Sequence, residues 1–148
     1  TTIRNYRKEI MEECLQKNGI ELKKGAVELL EFLKTKNVKR AIATATDEER
    51  ARKYLKQIGL EPYFDKIICA TMVEYGKPSP DIYEYACRQL KLLPEESLAV
   101  EDSPNGVLSA YRAGCKVVMV PDQTEPEEAL KEILYGCVEN LLEIRKYF

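Results

Sequence analysis

The stretch Leu98-Ala99-Val100-Glu101-Asp102-Ser103-Pro104-Asn105-Gly106 contains a change of period that sets the architecture. A short apolar run ends in two adjacent acids, and a polar turn then leads into Val107, Ala110 and Tyr111 at helical spacing. A buried strand entering an amphipathic helix in this way is half of a βαβ crossover. The same alternation continues on both sides. Upstream lie a strand over Val38–Thr44, a helix carrying Ala51, Tyr54, Leu55 and Ile58, a strand over Lys66–Ala70, and a helix carrying Tyr83, Ala86, Cys87 and Leu90. Downstream come a strand over Lys116–Val120 and a tail, Glu127–Phe148, of helix, a short strand near Cys137, and helix. The expected fold class is α/β, a Rossmann-like parallel sheet with helices on both faces.

The beginning of the chain reads differently. Ile3, Tyr6, Ile10, Met11, Cys14 and Leu15 make a wide apolar stripe, so residues 3 to 18 are expected to be one amphipathic helix stopped by Gly19. A face that wide suggests packing partners upstream of residue 1. Ile20–Lys24 then form a connector, and Gly25 opens a helix bearing Ala26, Leu29, Leu30 and Leu33.

With 148 residues the chain fits one core and needs no covalent staples. Its 23 basic and 25 acidic residues are nearly balanced and form no dense cationic cluster, so no nucleic-acid partner is expected. Cys14, Cys69, Cys87, Cys115 and Cys137 are odd in number and show no CxxC spacing. They read as reduced core thiols of a cytoplasmic protein. The absence of histidine removes Ser-His-Asp triads and histidine-containing zinc sites. No apolar run is long enough to span a bilayer, and no membrane partner is expected.

Three motifs fall at predicted strand ends, the edge where parallel sheets bind ligands. Thr44 ends one strand and is followed by Ala45, Thr46 and Asp47, whose hydroxyls and backbone N–H groups can converge on an anion. Thr46 and Asp47 are equally suited to capping the next helix. Lys77 stands in Gly76-Lys77-Pro78-Ser79-Pro80-Asp81, a rigid turn at a helix entrance, where its charge serves a bound phosphate better than the helix dipole. A surface lysine beside a turn is the plainer alternative. Glu101 and Asp102 would repel each other at the end of a buried strand unless a cation such as Mg²⁺, a lysine or a helix N-terminus compensates them. Helix capping by Asp102 or Ser103 would explain one acid and leave the other.

In this order the motifs resemble the haloacid dehalogenase superfamily, in particular its branch of beta-phosphoglucomutases and small sugar-phosphate phosphatases. The resemblance runs from about Ile3 to Phe148. It implies a core with a helical cap inserted after the first strand, residues 1–19 being the last cap helix and 20–148 a core lacking its first strand. By the same resemblance Thr44 binds the transferring phosphoryl group together with Ala45, Lys77 steadies nucleophile and phosphate, Asp102 is a Mg²⁺ ligand, and Glu101 is a second acid close to the metal. The family's nucleophile is the first aspartate of an Asp-x-Asp-Gly-Thr segment, and no Asp-x-Asp occurs in this chain. The implied activity is Mg²⁺-dependent hydrolysis of a small phosphate monoester by the intact protein, with residues 1–148 inactive alone. Thr46-Asp47-Glu48 replaces the more cationic loop of the mutases, which leaves phosphomutase as the alternative. A non-catalytic phosphate- or partner-binding module is a second alternative. Self-association, or pairing with a missing N-terminal segment, is a third.

Overall fold

The computed structural model describes residues 9–12, 16–17, 21–22, 25–121 and 126–148. Its main sheet has six parallel strands: β1 (Glu9–Glu12), β4 (Lys39–Thr44), β5 (Lys66–Cys69), β6 (Leu98–Glu101), β7 (Lys116–Met119) and β8 (Gly136–Cys137). Their spatial order is β5-β4-β1-β6-β7-β8. A separate pair, β2 (Gln16–Lys17) and β3 (Glu21–Leu22), is antiparallel. The helices are α1 (Ala26–Thr35), α2 (Glu48–Gln57), α3 (Asp81–Leu90), α4 (Pro104–Ala113) and the short α5 (Glu128–Lys131). Leu141–Tyr147 form a closing 3₁₀ helix at the place where the final helix is expected.

Alternation along the strands divides the core between the two faces of the sheet. Ile42, Val100 and Val118 point to one face, where Ala26, Leu29, Leu30 and Leu33 of α1 and Ala51 and Leu55 of α2 cover them. Ala41, Ala43, Ala99, Val117 and Met119 point to the other, under Ile82, Tyr83, Ala86 and Cys87 of α3 and Val107 and Ala110 of α4. Small alanines on that second face let α3 and α4 approach closely, which brings the loops preceding them together. The apolar stripe expected on α4 ends one residue early, because Tyr111 is exposed.

Gly25 starts α1 in the left-handed conformation, φ 86°. A Cβ there would stand 2.7 Å from Leu142 Cγ, so glycine also permits the closing segment to pack on α1.

The N-terminal expectation needs correction. Glu9–Glu12 is a strand, and Gln16–Lys17 and Glu21–Leu22 are strands, so no single helix spans 3 to 18 and Ile20–Lys24 is not merely a connector. The remaining positions of 3–18 lie outside the described residues. β1 pairs in parallel with both neighbours, Glu12 standing level with Ile42 and Val100. The place between β4 and β6 is therefore filled, and the sheet edges are β5 and β8. The error has a physical source: Ile10 and Met11 suit a helical stripe, but two flanking strands offer backbone partners that intrinsic propensity does not anticipate.

The cysteine expectation holds for Cys69, Cys87 and Cys115, which are buried thiols, but Cys137 at the sheet edge is exposed. Cys14 lies outside the described residues. No helix among the described residues is long and apolar enough to cross a membrane.

Candidate active site

The site is built at the carboxyl ends of β4 and β6 from the loops that lead into α2, α3 and α4. Lys77 approaches from the loop before α3. Its Nζ donates to Glu101 Oε2 at 2.6 Å and to the Ala43 carbonyl at 3.2 Å. Neighbouring strands lie about 4.8 Å apart, and β4 and β6 flank β1. An ammonium that reaches both must therefore stand over the carboxyl end of the central strand. The ion pair is almost wholly withdrawn from water, with side-chain exposures of 9% for Lys77 and 0% for Glu101.

Glu101 ends β6 with a buried carboxylate, which burial alone would make costly. Three features accommodate it. Lys77 supplies the opposite charge. Tyr83, from α3, donates its hydroxyl to the same Oε2, and its ring lies 5.3 Å from the ammonium. Gly106 leaves room for the other oxygen, since a Cβ there would stand 1.9 Å from Oε1.

The Lys77 loop is held from two sides. Asp81, the first residue of α3, accepts from the Tyr75 N–H at 3.1 Å and from the Ser79 hydroxyl at 2.9 Å. From α4, the buried Ser109 donates to the Ser79 carbonyl at 2.6 Å, and Arg112 donates to the Pro78 carbonyl at 3.2 Å. Both prolines of the motif thus sit in a turn whose carbonyls are tied to the helix that follows the acids.

Thr44 closes β4 and is buried; its hydroxyl accepts from the Thr46 N–H at 3.1 Å, which turns the chain toward α2. Asp47 caps α2, accepting from the Arg50 N–H at 2.9 Å. Capping accounts for Asp47, as the plainer reading had it. On the other loop it is Ser103 that caps α4, accepting from the Gly106 N–H at 3.1 Å. Asp102 is partly exposed immediately before that cap.

The structure thus brings Lys77 and Glu101 into contact and places Thr44, Ala45 and Asp102 on the same edge of the sheet. The compensation that two adjacent acids require comes, for Glu101, from Lys77. Among the described residues no group of three His, Cys, Asp or Glu side chains is placed to hold a metal. The carboxylate chemistry at this edge nonetheless suits a hard cation, which can be bound by one or two carboxylates completed by water and phosphate oxygens.

Sequence reasoning missed Tyr83, Ser109 and Arg112 as parts of the site. Tyr83 was indistinguishable from its apolar neighbours on α3. Ser109 carried a faint signal, a hydroxyl on the buried face of α4 that had to find an acceptor.

A family model described as haloacid dehalogenase-like hydrolase matches residues 1–120. The chain belongs to that family. It is 37% identical over 115 residues to a phosphorylated carbohydrates phosphatase of Thermotoga maritima, covering 76% of this chain and 53% of that protein. It is 39% identical over 108 residues to hexitol phosphatase A of Escherichia coli, covering 73% and 50%. The structure of CbbY from Rhodobacter sphaeroides in complex with phosphate superposes with a TM-score of 0.72 at 30% identity, covering 80% of this chain and 54% of that one. The chain therefore spans about half the length of the curated relatives it matches. As a haloacid dehalogenase-like hydrolase with phosphatase relatives it is classed with enzymes, and its α/β fold agrees with theirs.

Proposed function

We propose that this chain supplies the phosphate- and metal-holding half of a phosphatase acting on a small phosphorylated carbohydrate, with the attacking aspartate lying outside residues 1–148. The observation that carries this reading is the buried Lys77–Glu101 pair over the end of the central strand, where an ammonium can neutralise both an attacking carboxylate and a phosphoryl group. β1 reads Glu-Ile-Met-Glu and offers no Asp-x-Asp, so residues 1–148 are inactive alone. In this reading residues 20–148 belong with the core, and so does β1, which fills the place between β4 and β6.

In the intact protein the aspartate attacks phosphorus in line, the alkoxide leaves, and water then hydrolyses the aspartyl phosphate. Thr44 and the backbone of Ala45 orient the phosphoryl group, and Lys77 holds positive charge beside its oxygens. Asp102 would hold Mg²⁺, with Glu101 near it but engaged by Lys77. When bound, that ion supplies further charge neutralisation. The relatives named for carbohydrate phosphates support the substrate class. The cap of Asp47 and the acids Glu48 and Glu49 after Thr44 favour a phosphatase over a mutase, which needs cations for a second phosphate. A cytoplasmic setting agrees with the buried thiols.

The test is to compare the product of the complete gene with pure residues 1–148 on a panel of sugar phosphates, with and without Mg²⁺. The complete protein is expected to turn over and to lose activity as Lys77→Ala. Mg²⁺-dependent turnover by residues 1–148 alone overturns the placement of the nucleophile, and an inactive complete protein overturns the phosphatase.

A further inference from the structure

We propose that Tyr83 is a positioning residue for Lys77, acting through Glu101. Tyr83 is the largest fully buried side chain among the described residues, and nothing about packing requires its hydroxyl, since phenylalanine would fill the same volume. That hydroxyl donates to Glu101 Oε2, the very oxygen that receives Lys77, while the ring lies against the ammonium. One side chain thus touches both members of the pair.

The geometry has a chemical consequence. A carboxylate bound only by the ammonium can rotate about its last bond and carry Lys77 with it. Oε1 lies in the space that Gly106 leaves open, and the phenol's hydrogen bond holds Oε2 from the α3 side. The carboxylate plane is then set by α3 and α4 together, and Nζ is held at the Ala43 carbonyl, one residue before Thr44. Charge-assisted hydrogen bonds of this kind are roughly twice as strong as neutral ones, so the phenol's contribution is large enough to measure. The inference rests on the proposed function only for its consequence in phosphate binding; the positioning itself is a property of residues 1–148.

The experiment observes the lysine ammonium groups of residues 1–148 by ¹⁵N-detected NMR, with Lys77→Arg assigning the Lys77 signal. Tyr83→Phe is expected to shift that signal and to speed its hydrogen exchange by about tenfold, with the amide spectrum of the core retained. In the background of Glu101→Gln the same substitution is expected to change nothing further, because Tyr83 acts through the carboxylate. An unchanged Lys77 signal in Tyr83→Phe overturns the inference, as does an equal change in both backgrounds. If Tyr83→Phe does not fold, the wild-type chain decides: a Tyr83 hydroxyl proton in slow exchange with a nuclear Overhauser effect to the Lys77 ammonium supports the proposal, and its absence overturns it. Titration with inorganic phosphate is read separately. A Lys77 signal insensitive to phosphate counts against the proposed function and leaves the positioning intact.

Discussion

Gly106 lies so close to Glu101 that any side chain there would occupy the space of the carboxylate, the Cβ position being 1.9 Å from Oε1 and 2.2 Å from Cδ. The acid at the end of β6 and the first turn of α4 are therefore fitted to each other. Gly106→Ala is expected to destabilise the fold by about 1–3 kcal/mol, the usual cost of overpacking. Urea denaturation measures it, and an unchanged midpoint would mean that Glu101 has another place to go.

The Lys77–Glu101 pair makes an asymmetric prediction. Lys77→Met leaves a carboxylate in the core without its ammonium and is expected to cost about 3–5 kcal/mol, whereas removing both charges in Lys77→Met/Glu101→Gln costs less than that single substitution. Denaturation of the three chains checks the order. A double variant less stable than Lys77→Met would show that the pair is held by more than charge compensation.

Ser109 ties α4 to the Lys77 loop by a side chain that is wholly buried. Ser109→Ala is expected to cost about 1 kcal/mol. Hydrogen exchange of the Ser79 amide, which donates to the Gly76 carbonyl at 2.9 Å, should quicken more than exchange at β4 or β7. Uniform acceleration across the core would instead mark a general loss of stability.

Burial pushes the Cys69 thiol above its usual value of 9.0, with Glu48 adding to the effect. Burial likewise raises the Tyr54 and Tyr147 phenols above 10.0. Burial thus favours the protonated, neutral form of all three groups. Below pH 9 both states keep their protons and the full stability is present; above it the unfolded chain ionises first, and stability falls as pH rises through the folded values. Denaturation midpoints are expected to drop between about pH 9 and 11. In the same range Cys137, exposed at the sheet edge, should be alkylated well before Cys69, Cys87 and Cys115.

The core α/β pattern was legible because its strands and helices differ in period. Ala51 and Leu55, Val107 and Ala110, and the run Leu98–Val100 are all buried as their spacing implied. The sequence also pointed to Lys77, from its place in a rigid turn at a helix entrance, and to Glu101, because two acids at the end of a buried strand need compensation, without pairing the one with the other. It failed where pairing partners decide structure. Ile10 and Met11 fit a helical stripe, yet the open hydrogen-bonding edges of β4 and β6 take Glu9–Glu12 as a strand. Tyr111 fits the stripe of α4 and is exposed, while Ala110 and Ala113 on either side of it are buried.

The amino-acid sequence by itself determined the alternating layers, the presence of a helix cap within Thr46-Asp47 and another within Asp102-Ser103, and the presence of acid, ammonium and hydroxyl at strand ends, all of which depend on neighbours along the chain. Only the tertiary structure decided which of these meet. That Lys77 spans from Glu101 to Ala43, that Tyr83 serves the same oxygen, and that Ser109 and Arg112 hold the loop from α4 are contacts between residues up to 34 positions apart. Such contacts follow from strand order and helix approach, and those are set by how the whole core packs.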